Sequence, residues 1–328
     1  MKKNTVFATM LATALLAPGH GGAQARGTGY LFVSSENDNA VTVLDGKTYA
    51  VVKTIPTGER PRDMKLSADG TQVYVIASNK HRLEVIDVAK LAVTRTIPVG
   101  DDPEAFDFSK DGKRIYVSNE EDAQVSVVDF ASGKTIAKIE VGEEPEGVRV
   151  SPDGSRAYVT SEVANMVHVI DTATNKILAN VIVGNRPRRF AITPDGAEVW
   201  VTNELGASIS IIDGATHKVK GTVAFEPRGF RKDDVTPVGL VMTRDGKTAY
   251  ATLGRANHVA VIDVPARTVK GYVLVGNRAW GVQLSRDESL LYVVNGLSDD
   301  LSIVDTKSLK VLKSVPVGRV PYGVVADD

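Results

Sequence analysis

The sequence repeats a common pattern about every 42 residues, and this period limits the possible fold more than any other feature. Aspartates that end Val-x-Val-x-Asp-like stretches recur 42 residues apart, except for one interval of 50. A glycine after a β-branched residue and an Asp-Gly pair recur in the same register. Three landmarks in one register indicate seven copies of one supersecondary unit. The aspartates are Asp45, Asp87, Asp129, Asp171, Asp213, Asp263 and Asp305, and the glycines are Gly58, Gly100, Gly142, Gly184, Gly276 and Gly318.

Each unit is predicted to contain four short strands. In the unit formed by residues 142–184, Pro152-Asp153-Gly154 has the composition of a tight turn. β-branched and aromatic residues fill the segments on either side, which is typical of half-buried strands. The strands expected in this unit cover residues 147–151, 157–161, 167–171 and 176–183.

Four antiparallel strands in about 42 residues match one blade of a β-propeller. We therefore predict an all-β fold, a seven-bladed propeller of four-stranded antiparallel blades. The first strand, near Phe32–Ser35, aligns with the second strand of a unit, and residues 318–327 align with a loop and a first strand. The C-terminal strand should therefore complete the N-terminal blade and close the ring, which leaves no open edge between the ends.

The N-terminus has the features of a secretory signal. Lys2 and Lys3 precede an apolar stretch at residues 5–17, and Ala23-Gln24-Ala25 forms an A-x-A site. We predict a signal peptide at residues 1–25 with cleavage after Ala25, and a single propeller at residues 26–328. This arrangement predicts a periplasmic protein, and no other run is long and apolar enough to span a membrane.

Composition excludes several kinds of chemistry. The chain contains no cysteine, which rules out disulfides, thiolate catalysis and thiolate metal sites. The formal net charge of −1 gives no general attraction to nucleic acid, and we expect no nucleic-acid partner.

The second strands carry a recurring motif that resembles a known family. The segments are Tyr116–Asn119, Tyr158–Ser161, Trp200–Asn203 and Tyr292–Asn295. With the Pro-Asp-Gly turns and the Val-x-Val-x-Asp stretches, they resemble the YVTN family of β-propeller repeats. Within it, the chain looks most like the β-propeller proteins associated with PQQ-dependent catabolism.

This resemblance implies an exported, non-enzymatic propeller that is accessory to PQQ-dependent alcohol oxidation or transport. It would bind a small molecule or a periplasmic protein of that system, as a monomer, without a required cofactor. Two alternatives remain open, because one fold can serve many functions. They are a lactonase-like propeller hydrolase and an extracytoplasmic scaffold or adhesive module.

Residues that open the innermost strands should stand side by side around the central channel. We call these seven residues the mouth ring. One half is charged and the other is apolar or aromatic, so the ring has two interpretations: neighbouring ion pairs that neutralise each other, or an amphipathic pocket for a small organic anion or a partner side chain. The mouth ring consists of Arg62, Glu104, Glu146, Arg188, Val238, Trp280 and Tyr322.

Acidic residues crowd the loops of the third and fourth units. Several carboxylates on one face could hold Ca²⁺ or another hard cation, although the spacing is not that of an EF-hand. The candidate ligands are Asp102, Glu104, Glu120, Glu144, Glu146 and Glu162. Arginines were expected as a separate sector across the ring from this acidic patch, and they are Arg60, Arg62, Arg186, Arg188, Arg189 and Arg278.

The single long interval marks an insertion of eight residues near residues 226–236. Irregular loops on a rigid scaffold often carry binding sites, so we predict a contact loop or partial lid here, with tolerated surface variation as the alternative. Its candidate contact residues are Arg228, Phe230, Arg231 and Lys232. Histidines at positions 81, 168, 217 and 258 lack catalytic spacing and are predicted to lie at the surface.

Overall fold

The computed structural model describes Met1 and residues 27–327, so the predicted signal peptide and its cleavage site after Ala25 lie outside the described residues, except for Met1. Nearly all regular structure in the described part is β-strand, interrupted by three short 3₁₀ helices at Glu36–Asp38, Ser78–Lys80 and Lys232–Asp234. No helix among these residues has the length and hydropathy that crossing a bilayer requires.

The strands form seven four-stranded antiparallel sheets arranged as the blades of a propeller, which confirms the predicted fold. Blade 1 contains β28 and β1–β3, and blades 2 to 7 each contain the next four strands in chain order. The strands are β1 Tyr30–Ser35, β2 Ala40–Asp45, β3 Val51–Pro56, β4 Pro61–Leu66, β5 Gln72–Ala77, β6 Arg82–Asp87, β7 Ala92–Pro98, β8 Pro103–Phe108, β9 Arg114–Asn119, β10 Gln124–Asp129, β11 Lys134–Glu140, β12 Pro145–Val150, β13 Arg156–Ser161, β14 Met166–Asp171, β15 Lys176–Ile182, β16 Pro187–Ile192, β17 Glu198–Asn203, β18 Ser208–Asp213, β19 Val219–Ala224, β20 Leu240–Met242, β21 Thr248–Thr252, β22 His258–Asp263, β23 Thr268–Leu274, β24 Ala279–Leu284, β25 Leu290–Asn295, β26 Asp300–Asp305, β27 Lys310–Pro316 and β28 Pro321–Asp327.

The ring closes as predicted, because β28 forms the innermost strand of the blade that β1 begins. The two strands are antiparallel, with Tyr30 opposite Asp327 and Phe32 opposite Val325. The buried Asp327 carboxylate accepts hydrogen bonds from the backbone N–H and the hydroxyl of Thr28, at 2.8 and 2.7 Å. The two ends of the described chain are therefore joined by both strand pairing and side-chain bonds.

The core lies between the blades, where apolar side chains of neighbouring sheets pack on each other. One such layer joins Tyr116 and Val127 of blade 3 to Val148 and Val159 of blade 4. Alternate residues of the middle strands therefore face the two neighbouring blades, and the middle strands are buried on both sides. This explains why they are rich in valine and isoleucine.

The innermost strands begin with a β-bulge that the sequence pattern did not show. In β12, Pro145 pairs with Ser161 and Val148 pairs with Val159, so Glu146 and Gly147 occupy an irregular step of the ladder. The strand begins two residues before the predicted start at 147, and every member of the mouth ring except Val238 lies in such a step. Bulges re-aim side chains, and six of the seven inner strands have one at this position, with β20 as the exception.

A hydroxyl group on the second strand joins each of several blades to the next. Thr160 accepts a hydrogen bond from the N–H of Gly147 at 2.7 Å and donates one to the carbonyl of Arg188 at 3.0 Å. This gives a structural reason for Ser or Thr in the recurring second-strand motif, since a buried hydroxyl needs partners. Ser34, Ser118, Thr202 and Thr252 donate the equivalent bond to the following blade.

Candidate functional site

The mouth ring does converge on the channel axis, where it forms a plug rather than the wall of an open pocket. None of its seven members exposes more than 8% of its surface. The Tyr322 hydroxyl of blade 1 donates a hydrogen bond to the Glu146 carboxylate of blade 4 at 3.1 Å. Blades 1 and 4 are as far apart as two blades of seven can be, so this bond crosses the channel and closes it.

Arg188 is the centre of one half of the plug. Its guanidinium lies 3.2 Å from a carboxylate oxygen of Glu146 and forms a second, very short ion pair with Glu162. Arg189 lies 3.1 Å from the Glu146 carboxylate and also contacts the Tyr322 hydroxyl. These charges are nearly inaccessible to solvent and depend on one another for solvation.

Arg62 plays the same part in the other half of the plug. It forms a very short ion pair with Glu104, and its Nε lies 2.9 Å from Glu36 of the neighbouring loop. Arg60 reaches the same region and lies 3.2 Å from Asp102 and 3.6 Å from Glu104. The ion pairs expected between neighbouring members of the ring, Arg62 with Glu104 and Arg188 with Glu146, are thus both present.

Two aromatic rings complete the plug by stacking with arginines. Trp280 has guanidinium groups of Arg278 and Arg188 at 4.4 and 5.2 Å from its ring centre. Tyr322 has Arg62 and Arg189 at 4.6 and 5.7 Å. Stacking of this kind favours desolvated guanidinium groups and holds the four arginines in fixed orientations.

The buried charges shift each other's ionisation. Burial alone would raise the pKa of Glu146, but Arg188, Arg189 and Arg62 outweigh it and lower the pKa to about 2. Glu162 behaves in the opposite way, because burial and the nearby Glu146 carboxylate raise its pKa to about 7 despite its arginine partners. One carboxylate therefore stays charged in the plug, and the other is poised near neutral pH.

The loops that precede the inner strands hold the outer arginines in place. Arg60, Arg186 and Arg278 each adopt a left-handed backbone conformation, with φ of 59°, 57° and 58°. The N–H of Arg186 is bonded to the Asn165 side chain of the preceding blade at 2.8 Å. The equivalent acceptors for Arg60, Asp102 and Arg278 are Asn39, His81 and Asn257.

Below the plug, the channel widens into a cavity of about 220 Å³ lined by all seven inner strands. The ring of residues next to the mouth ring, which we call the inner ring, is mostly glycine. A Cβ at Gly239 would lie less than 3.0 Å from the carbonyl oxygen of Trp280 in the next blade, so the close approach of inner strands requires glycine there. The inner ring consists of Asp63, Ala105, Gly147, Arg189, Gly239, Gly281 and Gly323.

The cavity continues toward the face formed by the turns between first and second strands. There it meets a depression of about 600 Å³, which we call the vestibule. Met64, Lys65, Arg149, Ile192 and Gln283 line both spaces, so the two are continuous. The turn residues Lys110, Ser151 and Pro152 lie at the rim. The channel is thus closed on the insertion face and accessible from the turn face.

Asp63 and Arg189 of the inner ring, together with Lys65 and Arg149, form the charged lining of the inner cavity. Arg189 belongs to the arginine cluster that was predicted from the sequence, whereas Asp63, Lys65 and Arg149 were not predicted to be part of a site. A usable signal was present, because aspartate and arginine stand out in an inner ring that is otherwise glycine and alanine.

The acidic patch does not form one site. Among the described residues, Asp102, Glu104 and Glu120 place carboxylate oxygens within 4.8 Å of one another. Glu146 and Glu162 instead share Arg188. The expected separation into acidic and basic sectors was also wrong, because the arginines interleave with the acids and pair with them. Binding of Ca²⁺ or another hard cation at Asp102, Glu104, Glu120, Glu144, Glu146 and Glu162 stays a prediction.

The insertion lies at the rim of the ring. Phe230 packs edge-on against His258 with 5.4 Å between ring centres, and the Glu226 N–H donates to the Tyr272 hydroxyl at 2.8 Å. Both partners belong to the outer two strands of blade 6, so these contacts hold the loop away from the plug. Arg228, Phe230 and Lys232 line a cleft of about 670 Å³ against blade 5, while Arg231 pairs with Asp234 at 3.2 Å.

The four histidines of the described part lie away from the cavity. His168 is buried, so its predicted surface position was wrong. Its Nε2 accepts a hydrogen bond from the Gly142 N–H at 2.9 Å, and its Nδ1 lies 2.7 Å from the Asn180 amide oxygen. Burial lowers the pKa of His168, which matches a neutral ring that holds a loop in place.

Comparison with known proteins agrees with this architecture. The family model described as YNCE-like beta-propeller matches residues 14–106. This chain is a β-propeller. None of the curated proteins matches its sequence.

Solved structures show the same fold across most of the chain. The propeller is similar to Kuenenia stuttgartiensis hydrazine synthase, with TM-score 0.77, 22% identity, and coverage of 85% of this chain and 92% of that one. It is also similar to a protein of unknown function from Desulfotomaculum acetoxidans, with TM-score 0.77, 19% identity, and coverage of 91% and 99%. For the dihydro-heme d1 dehydrogenase NirN in complex with DHE, the TM-score is 0.68 at 17% identity, with coverage of 91% and 75%. At these identities the likeness establishes the fold alone.

Proposed function

We propose that this propeller binds a small ligand in its central channel without converting it chemically. The observation that carries the proposal is the cavity of about 220 Å³, closed at one end by the plug and lined by both apolar and charged side chains. Concave, largely preformed sites with a few polar groups are typical of small-molecule binding. Arg188 and Glu146 hold the plug rigid, so the cavity keeps its shape without ligand.

No histidine of the described part of the chain lines the cavity, and this favours ligand binding over lactone hydrolysis. Asp63 lies near Arg189, and its carboxylate accepts a hydrogen bond from the Phe106 N–H at 3.3 Å. This arrangement orients Asp63 but provides no general base next to a nucleophile.

The biological setting of the proposal rests on sequence resemblance. We infer that the mature protein is exported to the periplasm and acts as an accessory of PQQ-dependent alcohol oxidation or transport. The similar NirN structure is a complex with DHE, so binding of a small molecule has a precedent in a chain with this fold.

Native mass spectrometry of the protein from its own periplasmic extract tests this function. We expect a bound small molecule that dissociates on mild activation, and no turnover when the purified protein is incubated with a panel of lactones. A ligand-free spectrum, or lactone turnover above background, would overturn the proposal.

A protein partner is a second candidate, favoured by the insertion. Phe230 exposes 38% of its surface beside the cleft against blade 5, and Arg228 and Lys232 flank it. An exposed aromatic ring flanked by cations is typical of interface contacts. Crosslinking from position 230 in periplasm should yield one specific adduct that is lost in the variant R228M/K232M, whose crosslinking position is retained.

A further inference from the structure

The arginines of the plug are paired with carboxylates, whereas the cations that line the open part of the channel outnumber the acids. In the plug, Arg60, Arg62, Arg186, Arg188 and Arg189 each have a carboxylate within 4.0 Å. In the vestibule, Lys65, Lys110 and Arg149 surround a single acid, Asp107. A ligand that enters from the turn face therefore meets a net positive lining.

The one vestibule acid is already engaged. Asp107 lies 3.5 Å from the Lys65 amine, and it accepts hydrogen bonds from the backbone N–H groups of Phe108 and Val150 at 3.1 and 2.8 Å. No carboxylate lies within ion-pair distance of Arg149 or Lys110 among the described residues. Two cations thus face a concave space whose one acid, Asp107, is paired with Lys65 instead.

The inner cavity next to these cations has walls that are more polar than apolar, with apolar side chains between the polar groups. Lys65 and Arg149 line both the cavity and the vestibule and so lie at the junction between them. Beyond the junction, equivalent positions of six inner strands supply apolar side chains, and these are Met64, Val148, Phe190, Leu240, Val282 and Val324. A cationic junction that leads into a cavity with both polar and apolar walls favours a ligand with one anionic group and a small organic body.

We propose that the ligand of this channel is a small organic carboxylate that enters from the turn face. Its anionic group pairs with Arg149, beside Lys65, and its organic body occupies the inner cavity below the plug. This inference rests on the proposed binding function and adds to it the class of ligand and the side of entry. It moves the anion site that the sequence suggested from the mouth ring to the other end of the channel.

Calorimetry with benzoate, phenylacetate and hexanoate, each compared with its neutral amide, tests the inference on the purified protein. We expect at least one carboxylate to bind, with an affinity that falls as salt is raised, and its amide to bind about tenfold more weakly or not at all. Equal binding of acid and amide would overturn the anionic class while leaving a channel-binding protein. Failure of all three acids would overturn the inference, whereas the native mass spectrum tests binding as such.

Variants locate the site. The double variant K65M/R149M should weaken carboxylate binding at least tenfold, whereas K53M/K138M, which removes two charges from exposed outer strands, should leave it unchanged. V282F fills the inner cavity and should abolish binding while the circular dichroism spectrum is retained. Unchanged binding in K65M/R149M, or in a folded V282F protein, would contradict the proposal.

Discussion

The two ends of the central channel are built from the same seven inner strands, but they use charge in different ways. At the insertion face, long side chains meet at the axis, and every carboxylate of the mouth ring is paired with an arginine. At the turn face, Arg149 and Lys110 face an open vestibule and lack a described acidic partner. Paired buried charge makes a rigid closure, and unpaired charge at a concave opening makes a site for a counter-charge.

The strongest test of this comparison removes the centre of the plug. R188A removes the shared partner of the buried Glu146 and Glu162, which then keep only Arg189 and Arg186, and breaking a buried ion pair costs about 3–5 kcal/mol of stability. Urea denaturation followed by circular dichroism measures the loss. R149A, at the open end, is the matched control and should change stability by less than about 0.5 kcal/mol. Equal losses in the two variants would mean that the ends do not differ as described.

A substitution in the inner ring, which lies between the two ends of the channel, should have a smaller effect on stability. G239A places a methyl group against the carbonyl oxygen of Trp280, and overpacking of this kind costs about 1–3 kcal/mol. G323A is the control, because its Cβ would meet the Arg62 carbonyl at 3.1 Å, where a slight shift relieves the contact. The difference between the two denaturation midpoints checks whether close strand approach sets the width of the channel.

The plug should also respond to pH through Glu162. Since the folded-state pKa of Glu162 is raised to about 7, the protonated group contributes stability at low pH that is lost as pH rises through 7. Arg186, Arg188, Glu146 and Glu204 surround this carboxyl. Thermal unfolding from pH 5 to pH 8 should show the wild type losing on the order of 1–2 kcal/mol relative to E162Q. Parallel profiles for the two proteins would contradict the raised pKa.

Deletion of residues 227–234 should have the smallest effect on the channel. The loop touches the outer strands of blade 6 at His258 and Tyr272, and Phe230 and Arg231 are exposed. We expect stability within about 0.5 kcal/mol of the wild type and unchanged carboxylate affinity by calorimetry. Loss of small-ligand binding would restore the idea of a lid, which the sequence suggested and the loop contacts do not favour.

Much of the fold was predictable because its causes are local and repeated. A tight turn needs Asp-Gly, a strand buried on both faces needs β-branched residues, and the offset of the two termini by one strand position predicts closure by β28. The bulge at the start of six inner strands was missed, because it depends on how close neighbouring blades come at the axis.

The candidate site was predictable only in part, again because it depends on how close neighbouring blades come at the axis. Residue spacing alone places Arg62, Glu104, Glu146, Arg188, Trp280 and Tyr322 side by side, since equivalent repeat positions lie around one ring. It cannot tell whether such side chains leave a pocket or fill it. Arg149 and Lys65 belong to none of the recurring sequence motifs. Only their position in the shared lining of the cavity and the vestibule connects them.

The sequence by itself determined the number of blades, the strand order and the charged residues of the mouth ring, because these follow from a period that each unit repeats. The tertiary structure decided which charges neutralise each other and which remain available. That distinction depends on distances across the channel, such as the contact between Tyr322 and Glu146, and residues 176 positions apart meet there only after the ring has closed.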